Sequence, residues 1–440
     1  MKPVYIVSWL FALAVSFVSC DDWLDKTPKD RLYPDVYFKT EDELRLFTNQ
    51  FYNNLVPSAA DIYSESSDLI VKSDLMLEMS GQRIIPDEGN GWNFTALRDI
   101  NFYLQYSHNC TEVNARNRYD GVARFFRAYF YFEKVKRYGD IPWYDKALDS
   151  DDPELYKARD SREFVMQKML EDLDFAIANL PKTKNAYILT RWTALALKSR
   201  VCLFEGTFRK YHGLEDYEKY LNACVSASET FMNESGYTLY KTGSTPYRDL
   251  FASINLQADE VIFGRDYEAS LSVLHNVQNY ENSTTMGRPG MNKKIVNSYL
   301  MADGSRFTDK AGYETMTFDQ ECQNRDPRLA QTIRTPGYTR IGSTKKEAPN
   351  LAYTMTGYHL IKYSMTANYD EYNKSCNDIP LFRTAEVYLN FAEAKAELGT
   401  LKQADINKSI KLLRDRVGMT NLDMELANSK PDPYLMSAAT

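Results

Sequence analysis

The sequence predicts a mainly α-helical fold in which helical hairpins carry one large loop-rich, partly extended insertion. Three observations support this prediction. Apolar residues recur at helical spacing through much of the chain up to residue 235, and the same spacing returns after residue 375. The stretch between them is rich in Gly, Pro, Asn, Thr and Tyr, a composition typical of loops. We therefore expect helical regions at 20–235 and 376–440, separated by a variable, loop-rich region at 236–375.

Residues 1–19 have the pattern of a secretory signal. Lys2 gives a positive start, the apolar stretch 4–18 follows, and Ser19 comes directly before Cys20. The apolar stretch is too short to be a membrane-spanning helix. A cysteine at this position resembles the lipobox of bacterial lipoproteins, although Phe17 stands where Leu is usual, and the resemblance implies that Cys20 is lipidated. The alternative is an ordinary signal peptide followed by an unrelated cysteine.

The helices of the first half are predicted from their start signals and apolar stripes. Thr40, followed by three acidic residues, predicts the start of a helix that runs to Leu55, and a second helix is predicted at 95–110. The clearest stripe follows the spacing i, i+3, i+4, i+7, i+8 and consists of Val122, Phe125, Phe126, Tyr129 and Phe130.

Further helices follow, each with its own boundary signals. Asp160 and Glu163 have the spacing of a capping box and predict the start of a helix that ends before Pro181. Helices are predicted at 190–204 and 217–232, with a loop that holds Gly206 and Gly213 between them. A C-terminal pair ends at Gly399 and Gly418. Because the turns between these helices are short, the helices are expected to pair as antiparallel hairpins. Such hairpins resemble stacked tetratricopeptide-like repeats, and a plain helical bundle is the alternative.

The region 236–375 interrupts this pattern with only short extended runs, such as 260–263. An insertion of this length on a rigid scaffold is typical of segments that carry binding groups. We therefore expect it to be the ligand-binding region.

Composition excludes some classes of function. The formal net charge is −7, so nucleic acid is not an expected partner, because a phosphate backbone binds a basic surface. The five cysteines after Cys20 are scattered and show no CxxC spacing, and no histidine cluster is present, so we predict no metal, no cofactor and no catalytic constellation. Asp303-Gly304-Ser305 lacks the spacing of a calcium loop and is interpreted as an acidic turn.

Several segments resemble the RagB/SusD family in sequence order. They are 121–142, 172–181, 190–200, 326–329, 379–394 and 413–418. Membership implies a surface-exposed outer-membrane lipoprotein that binds oligosaccharides and delivers them to a SusC-like TonB-dependent transporter without cleaving them. The acidic pair after Cys20 resembles the surface-export signal of some Gram-negative lipoproteins. Family members usually continue beyond a point equivalent to Thr440, so we expect a fragment or a truncated gene. The alternatives are a helical carbohydrate-active hydrolase and a protein-binding helical-repeat scaffold.

Candidate binding residues are chosen by the chemistry of sugar recognition. Aromatic faces pack against the C–H side of a pyranose, and polar groups bind its hydroxyls. Trp92 and Asn93 on the loop 89–94, with Arg83 upstream, fit this description best, and Tyr280 is a second candidate. The alternative for Trp92 is a buried anchor of its loop.

The charged residues of the resembling segments are interpreted as structural, because their spacing suits packing and ion pairs between helices. They are Arg124, Arg127, Glu133, Arg383, Glu386 and Glu393.

Overall fold

The structure is a computed structural model that describes residues 36–63, 69–86, 89 and 91–437. The predicted signal at 1–19 and the predicted lipidation site Cys20 lie outside the described residues. Within the described part, no helix combines the length and the hydropathy needed to cross a membrane.

Long helices make up most of the first half of the described chain. They are α1 (Glu41–Leu55), α2 (Leu77–Ser80, a single turn), α3 (Thr95–Tyr106), α4 (Val113–Tyr138), α5 (Arg162–Asn179), α6 (Arg191–Tyr211) and α7 (Tyr217–Glu234).

The second half contains shorter elements. Its helices are α8 (Pro246–Asp249), α9 (Val277–Glu281), α10 (Lys293–Ser298), α11 (Phe318–Glu321), α12 (Thr384–Glu397), α13 (Gln403–Asn407), α14 (Ile410–Asp415), α15 (Met424–Ser429) and α16 (Pro433–Ser437). The strands of the described chain are β1 (Ile70–Val71), β2 (Val261–Arg265), β3 (Gly290–Met291) and β4 (Ile379–Arg383).

The helices pack side by side around α4. Helices α1, α3 and α5 contact it, and α6 and α7 form a hairpin across the turn at 212–216. Helix α12 packs against both members of that hairpin, so a segment from the end of the chain completes the scaffold. The predicted stripe of α4 is confirmed as core for Val122, Phe125, Phe126 and Phe130, which are buried, whereas Tyr129 is only partly buried against it. The mainly helical fold class is confirmed.

A short antiparallel ribbon joins the two halves of the fold. Strand β2 pairs with β4, with Val261 opposite Arg383 and Arg265 opposite Ile379. Phe263 on β2 packs in the hydrophobic cluster around α4, whereas Val261 packs in a second cluster formed mainly by residues between 236 and 375. The ribbon therefore connects the helical core to the core of the loop-rich region.

The predicted start is confirmed for helix α1 but not for helix α5. The start of α1 is confirmed as a capping box, since Thr40 accepts the Glu43 amide and Glu43 accepts the Thr40 amide at 3.0 Å. The assignment of Asp160 as the cap of α5 is wrong. Ser161 accepts the Phe164 amide at 3.3 Å and caps the helix.

The predicted loop around Gly206 is also wrong. Helix α6 continues through Gly206 to Tyr211, and only Gly213 lies in the turn before α7. A Cβ on Gly206 would lie 2.7 Å from the Leu221 side chain of α7. Glycine is therefore needed here for close approach of two helices and does not end the helix.

The interpretation of the signature charges as structural is confirmed for the four that form ion pairs between separate segments, namely Arg124, Arg127, Arg383 and Glu386. Arg127 forms a bidentate pair with Asp172 across α4 and α5, at 2.7 and 2.8 Å, and both side chains are buried. Arg200 of α6 pairs with Glu386 of α12 at 2.5 Å. Glu133 differs, since it pairs with Lys136 on its own helix.

Candidate functional site

A cavity of about 530 Å³ lies between the start of α3 and the irregular segment that follows α4. This volume is within the range of small-ligand sites. Its described lining residues are Trp92, Phe94, Thr95, Leu97, Arg98 and Asn101 on one side and Pro142, Tyr144, Lys146, Leu148, Leu155, Lys157, Ala158 and Arg159 on the other.

Trp92 is held in place by its own loop and by α4, yet it remains 40% exposed. Its amide donates to the Gly89 carbonyl at 3.0 Å. Its ring makes edge contacts with Phe94 and Tyr138, at centroid distances of 5.2 and 4.9 Å. Trp92 is thus partly an anchor and partly an open aromatic surface at the cavity.

Asn93 has a different environment from Trp92. Its side-chain oxygen accepts the Thr95 amide at 2.8 Å and so helps to start α3. The residue lines a second cavity, of about 500 Å³, with Thr95, Tyr129 and Lys134. The structure therefore places the two neighbours at separate cavities.

The far wall of the Trp92 cavity is fixed at both ends of segment 142–159. The Ile141 amide donates to the Asp160 carbonyl at 3.1 Å, and the Trp143 amide donates to the Asp160 carboxylate at 2.7 Å. The Tyr144 hydroxyl donates to the Leu155 carbonyl at 3.2 Å. These bonds give the wall a defined conformation although its regular structure is limited to one 3-10 turn, Pro153–Tyr156.

Asn101 connects this wall to the helical core. Its side-chain nitrogen donates to the Tyr144 carbonyl at 2.8 Å, and its oxygen accepts from Arg127 at 3.2 Å. Because Arg127 is also bound to Asp172, a hydrogen-bonded chain runs from α5 through α4 to the cavity wall. Such a chain holds the site rigid before a ligand binds.

Burial raises the pKa of the Tyr144 phenol, and the nearby charges of Asp160 and Glu154 raise it further. Tyr144 is therefore a neutral hydroxyl near neutral pH and serves as a hydrogen-bonding group, not as a base. In the part of the chain that the structure describes, no group of three metal-ligating side chains occurs.

Sequence reasoning missed the cationic residues of the cavity. Arg98 comes from α3, while Lys146, Lys157 and Arg159 come from an irregular segment. These positions share no spacing, so folding alone brings them together, and no sequence signal could have found them.

Arg83 and Tyr280 do not line this cavity. Arg83 is exposed in segment 82–86, after α2. Tyr280 lies on α9, partly buried, with its ring 6.1 Å from that of Tyr63. None of the described lining residues comes from 236–375, the region expected to hold the ligand. The binding roles of all four candidates stay predictions.

The sequence matches two related family profiles. The profile of the SusD family matches residues 250–437, and a profile described as "Starch-binding associating with outer membrane" matches residues 51–191. The chain belongs to the SusD-like (RagB/SusD) family. It is similar to SusD-like protein P2 of Formosa agariphila, with 25% identity over 94% of this chain and 82% of the relative. It is also similar to SusD-like protein P38 of that organism, with 22% identity over 92% of this chain and 81% of the relative.

Solved structures show the same fold. A SusD-like protein of Bacteroides fragilis matches with a TM-score of 0.72 and 21% identity, over 94% of this chain and 84% of that chain. A SusD-like carbohydrate binding protein of the same species matches with a TM-score of 0.71 and 19% identity, over 88% and 80%. At these identities the likeness establishes the fold.

Proposed function

We propose that the protein is a surface-exposed outer-membrane lipoprotein, anchored through Cys20, that binds oligosaccharides without cleaving them. We further propose that it delivers them to a SusC-like TonB-dependent transporter. The family description supports carbohydrate binding and association with the outer membrane. The signal pattern before Cys20 supports the lipid anchor, which would hold the folded body at the membrane surface.

The cavity beside Trp92 is the observation that carries the proposed binding function. An exposed indole can exclude water against the apolar face of a sugar ring. Hydroxyl and cationic groups on the surrounding wall can bind the sugar hydroxyls. Because the wall is fixed by hydrogen bonds, little conformational entropy is lost on binding.

The test is a titration of the purified protein with a panel of oligosaccharides, comparing the wild type with Trp92→Ala. We expect saturable binding to one class of glycan and a loss of at least about tenfold in affinity in the variant, since aromatic stacking is removed. The matched control is Tyr211→Ala. Tyr211 is also an exposed aromatic residue, but it lies on α6 and lines neither cavity described above.

Thermal melting of all three proteins separates lost binding from lost folding. Binding that survives in a stable Trp92→Ala variant would refute this location, and Tyr280→Ala would then test the second candidate. Release of reducing sugar ends during the titration would instead identify a hydrolase. A well-folded wild type that binds no glycan would contradict the proposed function.

A further inference from the structure

We propose that the oligosaccharide bound beside Trp92 carries acidic groups, either the carboxylates of uronic acids or sulfate esters. This inference rests on the proposed glycan-binding function and adds the chemical class of the ligand. It comes from the charge of the cavity. Four cationic side chains line it, and no aspartate or glutamate occurs among its described lining residues. The cations are Arg98, Lys146, Lys157 and Arg159.

This charge does not follow from the composition of the protein. The chain has 60 acidic and 53 basic residues. The segment that forms the far wall is itself rich in acids, and none of them lines the cavity. These acids are Asp145, Asp149, Asp151, Asp152 and Glu154. The basic side chains of this segment therefore line the cavity, whereas its acidic side chains do not.

The cations differ in how far they are already neutralised. Lys157 is engaged, because its ammonium lies 2.9 Å from Asp160 and donates to the Trp143 carbonyl at 2.7 Å. Lys146 is only loosely paired. Its ammonium lies 3.6 Å from Asp152 and 3.9 Å from Glu154, with half of the side chain exposed, and such contacts are weak in water.

Arg159 has no carboxylate within ion-pair distance in the described part of the chain. Its guanidinium lies over the Trp92 ring, 5.0 Å from the centroid. Arg98 uses one nitrogen to donate to the Leu148 carbonyl at 3.3 Å. Its two terminal nitrogens have no hydrogen-bond partner among the described residues, so they can still bind a ligand.

The start of α3 adds positive potential to the same cavity. Thr95 and Leu97 of its first turn line the cavity, and that turn contains no acidic residue. The amino end of a helix carries a partial positive charge that favours anions. This charge adds to that of the side chains.

An acidic sugar fits this arrangement better than a neutral one. Guanidinium groups bind carboxylate and sulfate oxygens through two parallel hydrogen bonds. Because Arg159 lies over Trp92, an anionic substituent on a sugar at the indole would be within reach of that guanidinium. A neutral glycan would leave Arg98 and Arg159 without a counter-charge from the described residues.

Two matched pairs of oligosaccharides test this inference by calorimetry. One pair is a uronic-acid oligosaccharide and its carboxyl-reduced neutral form, and the other is a sulfated oligosaccharide and its desulfated form. We expect one acidic member to bind at least about tenfold more tightly than its neutral partner. The preference should shrink as salt is raised, because mobile ions screen the cavity. Which pair shows the preference distinguishes carboxylate from sulfate.

The variant Arg159→Gln/Lys146→Gln removes two cations of the cavity. They are chosen because neither donates to a backbone carbonyl of the described residues, unlike Arg98 and Lys157. The variant should lower the affinity for the acidic member at least about fivefold more than the affinity for the neutral member, and so reduce the preference, while Arg98 and Lys157 remain in the cavity. The control Lys345→Gln/Lys346→Gln removes two charges from exposed positions outside the cavity and should leave the preference intact. Melting curves confirm folding of each variant.

Equal or tighter binding of the neutral members would overturn the acidic-ligand inference while leaving glycan capture in place. A preference that is undiminished in Arg159→Gln/Lys146→Gln would also overturn it. Binding to no member of either pair, and to no glycan of the wider panel, would overturn the proposed function itself.

Discussion

Two histidines in the loop-rich region are held in the neutral form by the same pattern of bonds. The His275 Nε2 donates to the Asn377 carbonyl at 2.9 Å, and its Nδ1 accepts the Val277 amide at 3.2 Å. His359 repeats this arrangement with the Glu281 carbonyl and the Asn350 amide. A second proton on either ring would face an amide hydrogen. Burial lowers the pKa of His275 to about 4 and that of His359 to about 3.

These shifts predict a loss of stability in acid. Below the ordinary pKa of 6.5, the unfolded chain takes up a proton at His275 that the folded chain refuses until about pH 4. The His275 contribution is therefore present above pH 6.5 and is lost as the pH falls toward 4. We expect the wild type to lose about 2 kcal/mol relative to His275→Gln between pH 7 and pH 5.

Urea unfolding of both proteins at the two pH values measures this difference. The carboxylates titrate in both proteins, so the difference isolates the histidine. A difference in unfolding free energy that does not change with pH would show that His275 is not held neutral.

At the scale of elements, the α6–α7 hairpin depends on close approach at one glycine. Gly206 lies within α6, directly against Leu221 of α7. Gly121 of α4 is a useful contrast, since a Cβ there would lie 3.4 Å from the Leu180 side chain, an ordinary contact distance. The two glycines occupy helix interiors but differ in the space beside them.

Substitution by alanine should therefore have opposite effects at the two positions. At Gly206, overpacking costs about 1–3 kcal/mol and exceeds the helix-propensity gain of about 1 kcal/mol. We expect Gly206→Ala to lower the unfolding free energy and Gly121→Ala to leave it unchanged or raise it. Denaturant melts measure both. Equal changes in unfolding free energy at the two sites would mean that helix propensity alone determines the effect. That result would contradict the close packing of Gly206 against Leu221.

At the scale of the whole molecule, the carboxylate of Glu260 forms ion pairs with residues that are far from it in the sequence. Its buried carboxylate pairs with Arg416 at 2.8 Å and with Arg383 at 2.9 Å, and it accepts the Tyr240 amide at 2.9 Å. It lies beside the ribbon of β2 and β4, where the two hydrophobic clusters meet. The helical scaffold and the loop-rich region are thus coupled by both apolar packing and a buried ion network.

The scaffold was predictable from sequence because its signals are local. The stripe of α4 and the cap at Thr40 depend on neighbouring residues, and the structure confirms both. The predictions for Gly206 and Asp160 are wrong because tertiary contacts decide the roles of these residues. Gly206 packs against Leu221, and the Asp160 carboxylate accepts a hydrogen bond from the Trp143 amide. The charge of the cavity could not be predicted, since Arg98 and Arg159 meet only in the folded chain.

The central claim is that the cavity beside Trp92 holds the oligosaccharide. Amide hydrogen exchange of the intact protein, with and without a saturating oligosaccharide from the panel, tests it most directly. We expect slower exchange in 91–102 and 142–159, because ligand contacts would stabilise both walls of the cavity. Saturation that leaves both segments unchanged, while slowing exchange around Tyr280 in 277–282, would contradict the claim and move the site to the loop-rich region.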